Sequence, residues 1–196
     1  SKGNFYALKD IIEKGYEPMH FRMFALSGHY RTNVNFTWAA LDQAKTNYNR
    51  IAEWLRRMDY RSSDDISIAG ANELNLDDYK KRFEAAMDDD LNTPLALSVL
   101  FELITKTNTL EVQSELGQNE AKDILKLWEK MNKVFGLVIE DAKQDISEDI
   151  KDLAEKRKKA REDKDFRLSD ELRDKISEKG YVIEDLKNNE YIIKKK

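Results

Sequence analysis

The chain has 196 residues, of which 40% are hydrophobic and 37% are charged, and it contains no cysteine. The lack of cysteine excludes disulfide bonds, thiolate metal ligands and a cysteine nucleophile from these residues. No apolar run approaches the roughly 20 residues that span a bilayer, and residues 1–15 are mixed and polar. We therefore expect a soluble, cytoplasmic protein without a membrane partner.

The net charge of −4 is divided unevenly along the chain. Residues 151–196 carry a net charge of +3, whereas the remaining residues together carry −7. Because an anionic partner is attracted to cations, it is expected to meet the C-terminal segment. A solvated tail with a basic end accounts for the same charges equally well, so charge alone leaves both interpretations open.

A mainly α protein is predicted, since only two prolines and seven glycines are present to interrupt helices. Residues 7–14 predict a short helix that ends at Gly15, and Pro18 begins a second helix that ends before Gly28. A long helix is predicted over about 37–58, because its apolar residues recur at helical spacing. Its predicted buried face consists of Trp38, Leu41, Ala44, Tyr48, Ile51, Leu55 and Met58.

The polar segment 59–72 predicts a linker, after which three helices are expected to form an antiparallel bundle. Thr93 is the predicted N-cap of the second of these helices, with Pro94 at its first helical position. Gly136 is predicted to close the third. The first is expected to cover about 76–88 and the third about 119–135, while the second starts at Thr93 and Pro94. Their predicted core residues include Leu97, Leu100, Leu103, Ile104, Leu110, Ala121, Ile124, Leu125, Trp128, Met131 and Phe135.

The chain is predicted to end in a small mixed α/β unit of two helices and a β-hairpin. Ser147 is expected to cap the first helix, and Asp165 is expected to cap the second, which ends at Gly180. Residues 181–195 contain two β-branched and aromatic runs joined by a turn at 188–189. This pattern is typical of a hairpin.

No catalytic or metal-binding motif stands out in the sequence, which lacks a Gly-rich phosphate loop, a zinc-ligand cluster and a Ser/His/Asp arrangement. His20 lies in a predicted helix beside Phe21, where packing is a more frequent role than metal ligation. The aspartates at 88–90 lie between two helices, so capping is favoured over metal binding. We expect neither a cofactor nor a metal in this chain, and no reaction carried out by it alone.

The predicted helix over 166–179 has two distinct faces. One is an apolar stripe, the predicted core face, formed by Leu168, Leu172 and Ile176. The other combines an aromatic ring, an acceptor and a donor, supplied by Phe166, Asp170 and Arg173. Such a set is typical of sites that read unstacked RNA bases. Packing of the ring on the preceding helix, with a surface pair between the two charges, explains the same pattern.

Three stretches of the sequence resemble the cysteinyl-tRNA synthetases, which are class I aminoacyl-tRNA synthetases. The opening SKGNF is similar to the end of their KMSKS loop, with Ser1 as the final serine. Residues 8–36 resemble D-x-L-x-x-x-x-x-P-x-x-x-R-x-x-x-L-S-x-H-Y-R, and residues 83–97 resemble F-x-x-A-M-D-D-D-x-N-T-P-x-A. Residues 153–185 resemble the family's C-terminal pattern, except that Ser169 stands where the family usually has alanine.

The resemblance implies a parent protein that attaches cysteine to cysteine tRNA using ATP, of which this chain is the tRNA-binding C-terminal part. It implies a stem-contact region at 1–65, a helical bundle at 74–140 and a small anticodon-recognition domain at 146–196. The catalytic domain, with its ATP and Zn²⁺, is expected outside this chain and would be a partner together with cysteine tRNA. The chain alone is expected to be an inactive monomer.

The resemblance also implies individual tRNA contacts. The family's anticodon contacts match four positions, which are Arg161, Phe166, Asp170 and Asp185; Arg173 shares the helix face of Phe166 and Asp170. The implied roles are stacking for the phenylalanine, accepting for the two aspartates and donating for Arg161. Basic side chains expected on the tRNA backbone are Arg31, Lys158, Lys194, Lys195 and Lys196.

Two rival functions remain open. A helical protein-interaction adaptor is compatible with the long amphipathic helices and the uneven charge. A cysteine-sugar ligase, a relative of the synthetases, is less compatible, since it is not expected to carry the segment DFRLSDELRD.

Overall fold

The computed structural model describes residues 6–63, 74–139, 147–185 and 191–195, without the side chains of residues 184, 192, 194 and 195. Within these ranges the chain is mainly α, as predicted. The helices are α1 (Leu8–Glu13), α2 (Pro18–Leu26), α3 (Trp38–Ser63), α4 (Leu76–Asp88), α5 (Thr93–Gln113), α6 (Gln118–Phe135), α7 (Glu148–Glu162) and α8 (Phe166–Glu178). The strands are β1 (Tyr181–Asp185) and β2 (Tyr191–Lys195). None of the described helices is long and apolar enough to cross a bilayer.

The chain divides into two compact units, Ser1–Lys143 and Gln144–Lys196. In the first unit, α1 to α6 contribute to one hydrophobic core, in which α3 contacts α2 and α6 while α4 contacts α5 and α6. Trp54 of α3 is fully buried, and its indole N–H donates to the hydroxyl of Thr107 on α5 at 2.9 Å. This bond satisfies the polar edge of a ring that otherwise stabilises the core by its apolar area.

The predicted buried face of α3 is confirmed, apart from Trp38, which is only partly buried. The helix is longer than predicted, however, because it continues through Ser63 into the expected linker. The hydroxyls of Ser62 and Ser63 both donate to the carbonyl of Asp59, so these polar residues satisfy a helix end instead of breaking it. The rest of the linker and the predicted boundary between 65 and 74 lie outside the described residues, and that boundary stays a prediction.

The start of α5 differs by one residue from the prediction. Asn92, not Thr93, is the N-cap, and its side-chain oxygen accepts from the N–H of Leu95 at 3.1 Å. The corner before it contains Asp90 and Leu91 with φ of 54° and 55°, and this left-handed backbone places Asn92 at the cap. Asparagine is at least as good an N-cap as threonine, so propensity did not oppose the shift.

In the second unit, α8 contacts α7 and β1, and β1 pairs antiparallel with β2. Ile183 lies opposite Ile193 in this pairing. Ser147 and Asp165 are the N-caps of the two helices, as predicted. The buried core of the unit is Ile150, Ala154, Ile176, Ile183 and Ile193. The turn predicted at 188–189 lies outside the described residues.

The predicted core stripe of α8 is wrong at its first position. Leu168 is 39% exposed, whereas the neighbouring Ser169 is only 3% exposed. Side chains four residues apart differ by about 40° in their direction around a helix, so the predicted spacing i, i+4 and i+8 moves away from a single face. The spacing i, i+3 and i+7 stays closer to one face. The buried face is therefore Ser169, Leu172 and Ile176, and a small side chain at its N-terminal end suits close packing of α8 in the unit.

Candidate nucleic-acid interface

A cluster of two arginines and one aspartate lies in the second unit. Arg157 and Arg161 are four residues apart on α7, which places both guanidinium groups on one face of the helix. Both reach the carboxylate of Asp185, the last residue of β1. Arg157 binds it in a bidentate manner, from Nη1 to Oδ1 at 2.6 Å and from Nη2 to Oδ2 at 3.0 Å. Arg161 donates from Nη1 to Oδ2 at 2.5 Å.

The three members of this cluster differ in their exposure to solvent. The side chain of Arg157 is 3% exposed, whereas those of Arg161 and Asp185 are 35% and 36% exposed. The hydrogen bond from Arg157 and the charges of both arginines hold the pKa of Asp185 below its ordinary value, against the opposing effect of burial. With two guanidinium groups on one carboxylate, the cluster keeps one net positive charge.

Sequence reasoning assigned Arg161 and Asp185 to this region but missed Arg157. The available signal was the spacing, since Arg157 and Arg161 are one helical turn apart. This spacing does not by itself indicate a functional residue, because Arg157 also continues an apolar helix face, where it is buried. The predicted role of Asp185 as an acceptor for a base competes with its two arginine partners, and it stays a prediction.

The start of α8 exposes an aromatic ring. Phe166, the first residue of the helix, is 64% exposed, so the ring is not packed away against the preceding helix. Asp170 and Arg173 are also exposed, and no ion pair joins them among the described residues. A tight turn connects α7 to α8, since the N–H of Asp165 donates to the carbonyl of Ala160 at 2.8 Å. The aromatic ring and the arginine cluster thus flank one short turn of the same unit.

The structure describes only some of the basic side chains that are predicted to contact a phosphate backbone. Lys158 on α7 is half-buried beside a shallow surface depression lined by other charged residues of that helix. Lys194 and Lys195 pair by their backbones with Val182 and Tyr181. Their side chains, like Lys196 and Ser1, lie outside the described residues.

In the first unit, Arg31 lies in another polar cluster, with Tyr30 and Asp90. Its Nε is 2.5 Å from Oδ2 of Asp90 and its Nη2 donates to Oδ1 at 2.9 Å. The hydroxyl of Tyr30 donates to the same carboxylate at 2.6 Å, which raises the pKa of this phenol. Asp89 accepts from the side-chain amide of Asn92. Asp89 and Asp90 of the aspartate run therefore accept from other side chains. The described residues hold no group of three or more potential metal ligands.

His20 has the packing role that was predicted for it. The side chain is 3% exposed, and its Nδ1 accepts from the backbone N–H of Glu17 at 3.0 Å, which caps the start of α2. The ring meets Tyr48 edge-on. Burial lowers the pKa of His20, so the imidazole is neutral at physiological pH and can act as the acceptor.

Two comparisons with known families decide the identity of this region. Residues 82–140 match the DALR domain, and residues 135–192 match the cysteinyl-tRNA ligase anticodon binding domain. The chain carries the DALR domain and the anticodon-binding domain of the cysteinyl-tRNA ligases. The resemblance noted in the sequence is thus confirmed.

A curated relative supports the same family. The chain is 33% identical over 186 residues to a cysteine–tRNA ligase of Protochlamydia amoebophila (strain UWE25). The match covers 94% of this chain and 38% of that relative. The cluster of Arg157, Arg161 and Asp185 and the exposed Phe166 fall within the range that matches the cysteinyl-tRNA ligase anticodon binding domain, while Arg31 precedes both matched domains.

Proposed function

We propose that this chain binds cysteine tRNA and recognises its anticodon through the second unit. The observation that supports this most directly is an exposed aromatic ring, Phe166, across a short turn from an arginine–carboxylate cluster. Both lie in the range that matches the cysteinyl-tRNA ligase anticodon binding domain. Stacking surfaces and charged donors and acceptors are what sequence-specific recognition of single-stranded RNA requires.

Each predicted residue has a role in this proposal. Phe166 stacks on an unpaired base, and Asp170 accepts hydrogen bonds from base amino or imino groups, as Asp185 does with the acceptor capacity that its two arginine partners leave. Arg161 donates to a base acceptor, and Arg173 adds a donor on the face of Phe166. The cysteine anticodon GCA contains guanine and cytosine, both of which offer donors to a carboxylate. Arg31, Lys158, Lys194, Lys195 and Lys196 neutralise phosphates.

The proposal extends to the parent protein. The parent protein attaches cysteine to tRNA with ATP, in a catalytic domain that lies outside this chain and holds the Zn²⁺. Ser1 is the last residue of the KMSKS loop of that domain. Residues 1–65 contact the tRNA stem, 74–140 form the helical bundle and 146–196 read the anticodon. The name of the curated relative, a cysteine–tRNA ligase, supports this activity.

Binding of fluorescent hairpin RNAs to the full chain tests the proposal. The unaltered chain is expected to prefer a hairpin with the GCA anticodon over hairpins in which one anticodon base is changed. Phe166→Ala should weaken binding to the GCA hairpin by about 5–150-fold, since a base–aromatic stack contributes about 1–3 kcal/mol. Leu168→Ala is the matched control, because that side chain is also exposed near the start of α8.

Equal affinity for all hairpins, or an equal loss for both variants, would contradict recognition of the anticodon. Binding to an unrelated protein without any affinity for RNA would instead support the adaptor function. The affinity should also fall only gently with salt, since few cations of this acidic chain can neutralise phosphates.

A further inference from the structure

We infer that Arg157, a buried residue that RNA cannot contact, sets anticodon specificity by positioning Asp185 and, through it, Arg161. This inference rests on the proposed function of the second unit. It assigns Asp185 chiefly to holding an arginine, and it adds a positioning residue that the sequence pattern did not reveal.

The burial of Arg157 excludes direct contact with a large ligand. Its side chain is 3% exposed, and both of its Nη atoms are used on the two oxygens of Asp185. A bidentate guanidinium fixes the plane of the carboxylate as well as its position, which a single hydrogen bond does not. Asp185 therefore has one defined orientation at the end of β1.

The fixed carboxylate in turn holds Arg161. The hydrogen bond from Nη1 of Arg161 to Oδ2 uses one of the five N–H donors of that guanidinium. A free arginine side chain loses rotamer entropy when it is immobilised. Because Asp185 already restrains Arg161, less of that loss falls on RNA binding, and the remaining donors keep a constant direction.

A purely structural role accounts poorly for an arginine at this position. Arg157 lies on α7 between the buried Ala154 and Ala160, where an apolar side chain, together with an apolar residue in place of Asp185, would pack without desolvating a charge. Its Nε is buried and has no hydrogen-bond partner among the described residues. An unsatisfied buried donor is unfavourable for stability. Stability therefore does not explain the charge and the fork geometry of Arg157. The orientation of Asp185 does explain them.

The test uses Arg157→Lys in the full chain, since lysine keeps the charge but loses the planar fork. The ratio of affinities for the GCA hairpin and for single-base variants should shrink roughly 5–10-fold, a part of the discrimination that one bidentate contact provides. Asp185→Asn, which replaces one carboxylate oxygen by a donor, should have the same effect. Arg167→Lys is the matched control on the exposed face of α8 and should leave the ratio unchanged.

A double-mutant cycle separates positioning from stability. In an Arg161→Ala background, Arg157→Lys should have no further effect on the ratio, because Arg157 acts through Arg161. Additive losses in the cycle, or an unchanged ratio in a folded Arg157→Lys protein, would overturn the inference. If Arg157→Lys does not fold, the cycle of Asp185→Asn with Arg161→Ala replaces it. No further effect of Asp185→Asn on the ratio in the Arg161→Ala background would support the inference, and additive losses would overturn it. An unaltered chain that shows no preference for GCA refutes the proposed function itself, and the inference with it.

Discussion

Each unit of the chain holds an arginine–aspartate cluster at its surface, and the two clusters differ in how they are anchored. In the first unit, the side chains of Arg31 and Asp90 are 66% and 42% exposed. In the second unit, the carboxylate of Asp185 is bound in a bidentate manner by Arg157, whose side chain is 3% exposed. The first cluster is a solvated surface pair, whereas the second contains a buried guanidinium group, that of Arg157.

This difference suits two different kinds of RNA contact. Phosphates carry no sequence information, so an arginine that binds them can move and needs no fixed direction. Reading a base edge depends on direction, because the correct and incorrect bases differ in the places of their donors and acceptors. Under the proposed function, the solvated pair would let Arg31 exchange Asp90 for a phosphate, while the buried guanidinium of Arg157 would keep Arg161 in place.

The largest expected effect is the loss of the buried anchor. Arg157→Met should destabilise the second unit by about 2–3 kcal/mol, slightly less than the 3–5 typical of a broken buried pair, since Asp185 is partly exposed. Amide hydrogen exchange over α7 and α8 measures this change. All three tryptophans lie in the first unit, so tryptophan fluorescence during urea unfolding serves as the internal control and should not change. Unaltered exchange in α7 would show that the anchor does not stabilise the unit.

Acid should weaken the second unit through the same cluster. The folded-state pKa of Asp185 lies below the unfolded value of about 3.9, so its stabilisation is complete above about pH 5 and is lost as the pH falls through the folded-state pKa. Asp149 adds a further loss as the pH falls towards 2, because hydrogen bonds from Lys179 and Ser147 lower its pKa to about 2. Amide exchange measured from pH 5 downwards should become less acid-sensitive in Asp185→Asn. Identical pH profiles for the two proteins would contradict this assignment.

The smallest effect is expected in the solvated cluster. Arg31→Met should change the stability of the first unit by only about 0.2–1 kcal/mol, the usual range for an exposed pair. Tryptophan fluorescence during urea unfolding measures it. The same variant should weaken RNA binding equally for all anticodons and lower the log–log salt slope by about 1, as expected for the loss of one phosphate contact. A change in anticodon preference would place Arg31 among the base-reading residues instead.

Local chemistry made much of the helical framework predictable. The bounds of α4 and the closing glycine of α6, which has φ of 58°, follow from breakers and caps that act within one turn. The apolar residues of α5 that were assigned to the core are all buried, because that stripe has the helical period. These features depend on neighbours in sequence, which is why the sequence reveals them.

Errors arose where two local solutions were nearly equal. Asn92 and Thr93 are both good caps, and the left-handed corner at Asp90 and Leu91 selected the first. Leu168 and Ser169 are adjacent on α8, and burial within the second unit selected the smaller residue. In each case propensity left the choice open. The backbone of the preceding corner decided the first, and packing of α8 within the second unit decided the second.

The sequence by itself determined the class and the family, because periodicity, caps and motif spacing are local or linear properties, whereas the exposure of Phe166 became known only from the structure. The tertiary structure alone decided that Arg157, 28 residues before Asp185, binds it with both Nη atoms. A buried arginine on an apolar helix face has no sequence signature of its partner, since that partner is the last residue of a strand that comes after the next helix of the chain. The charge at Arg161 is visible in the sequence, but the carboxylate that holds it is assembled only when α7 and β1 meet.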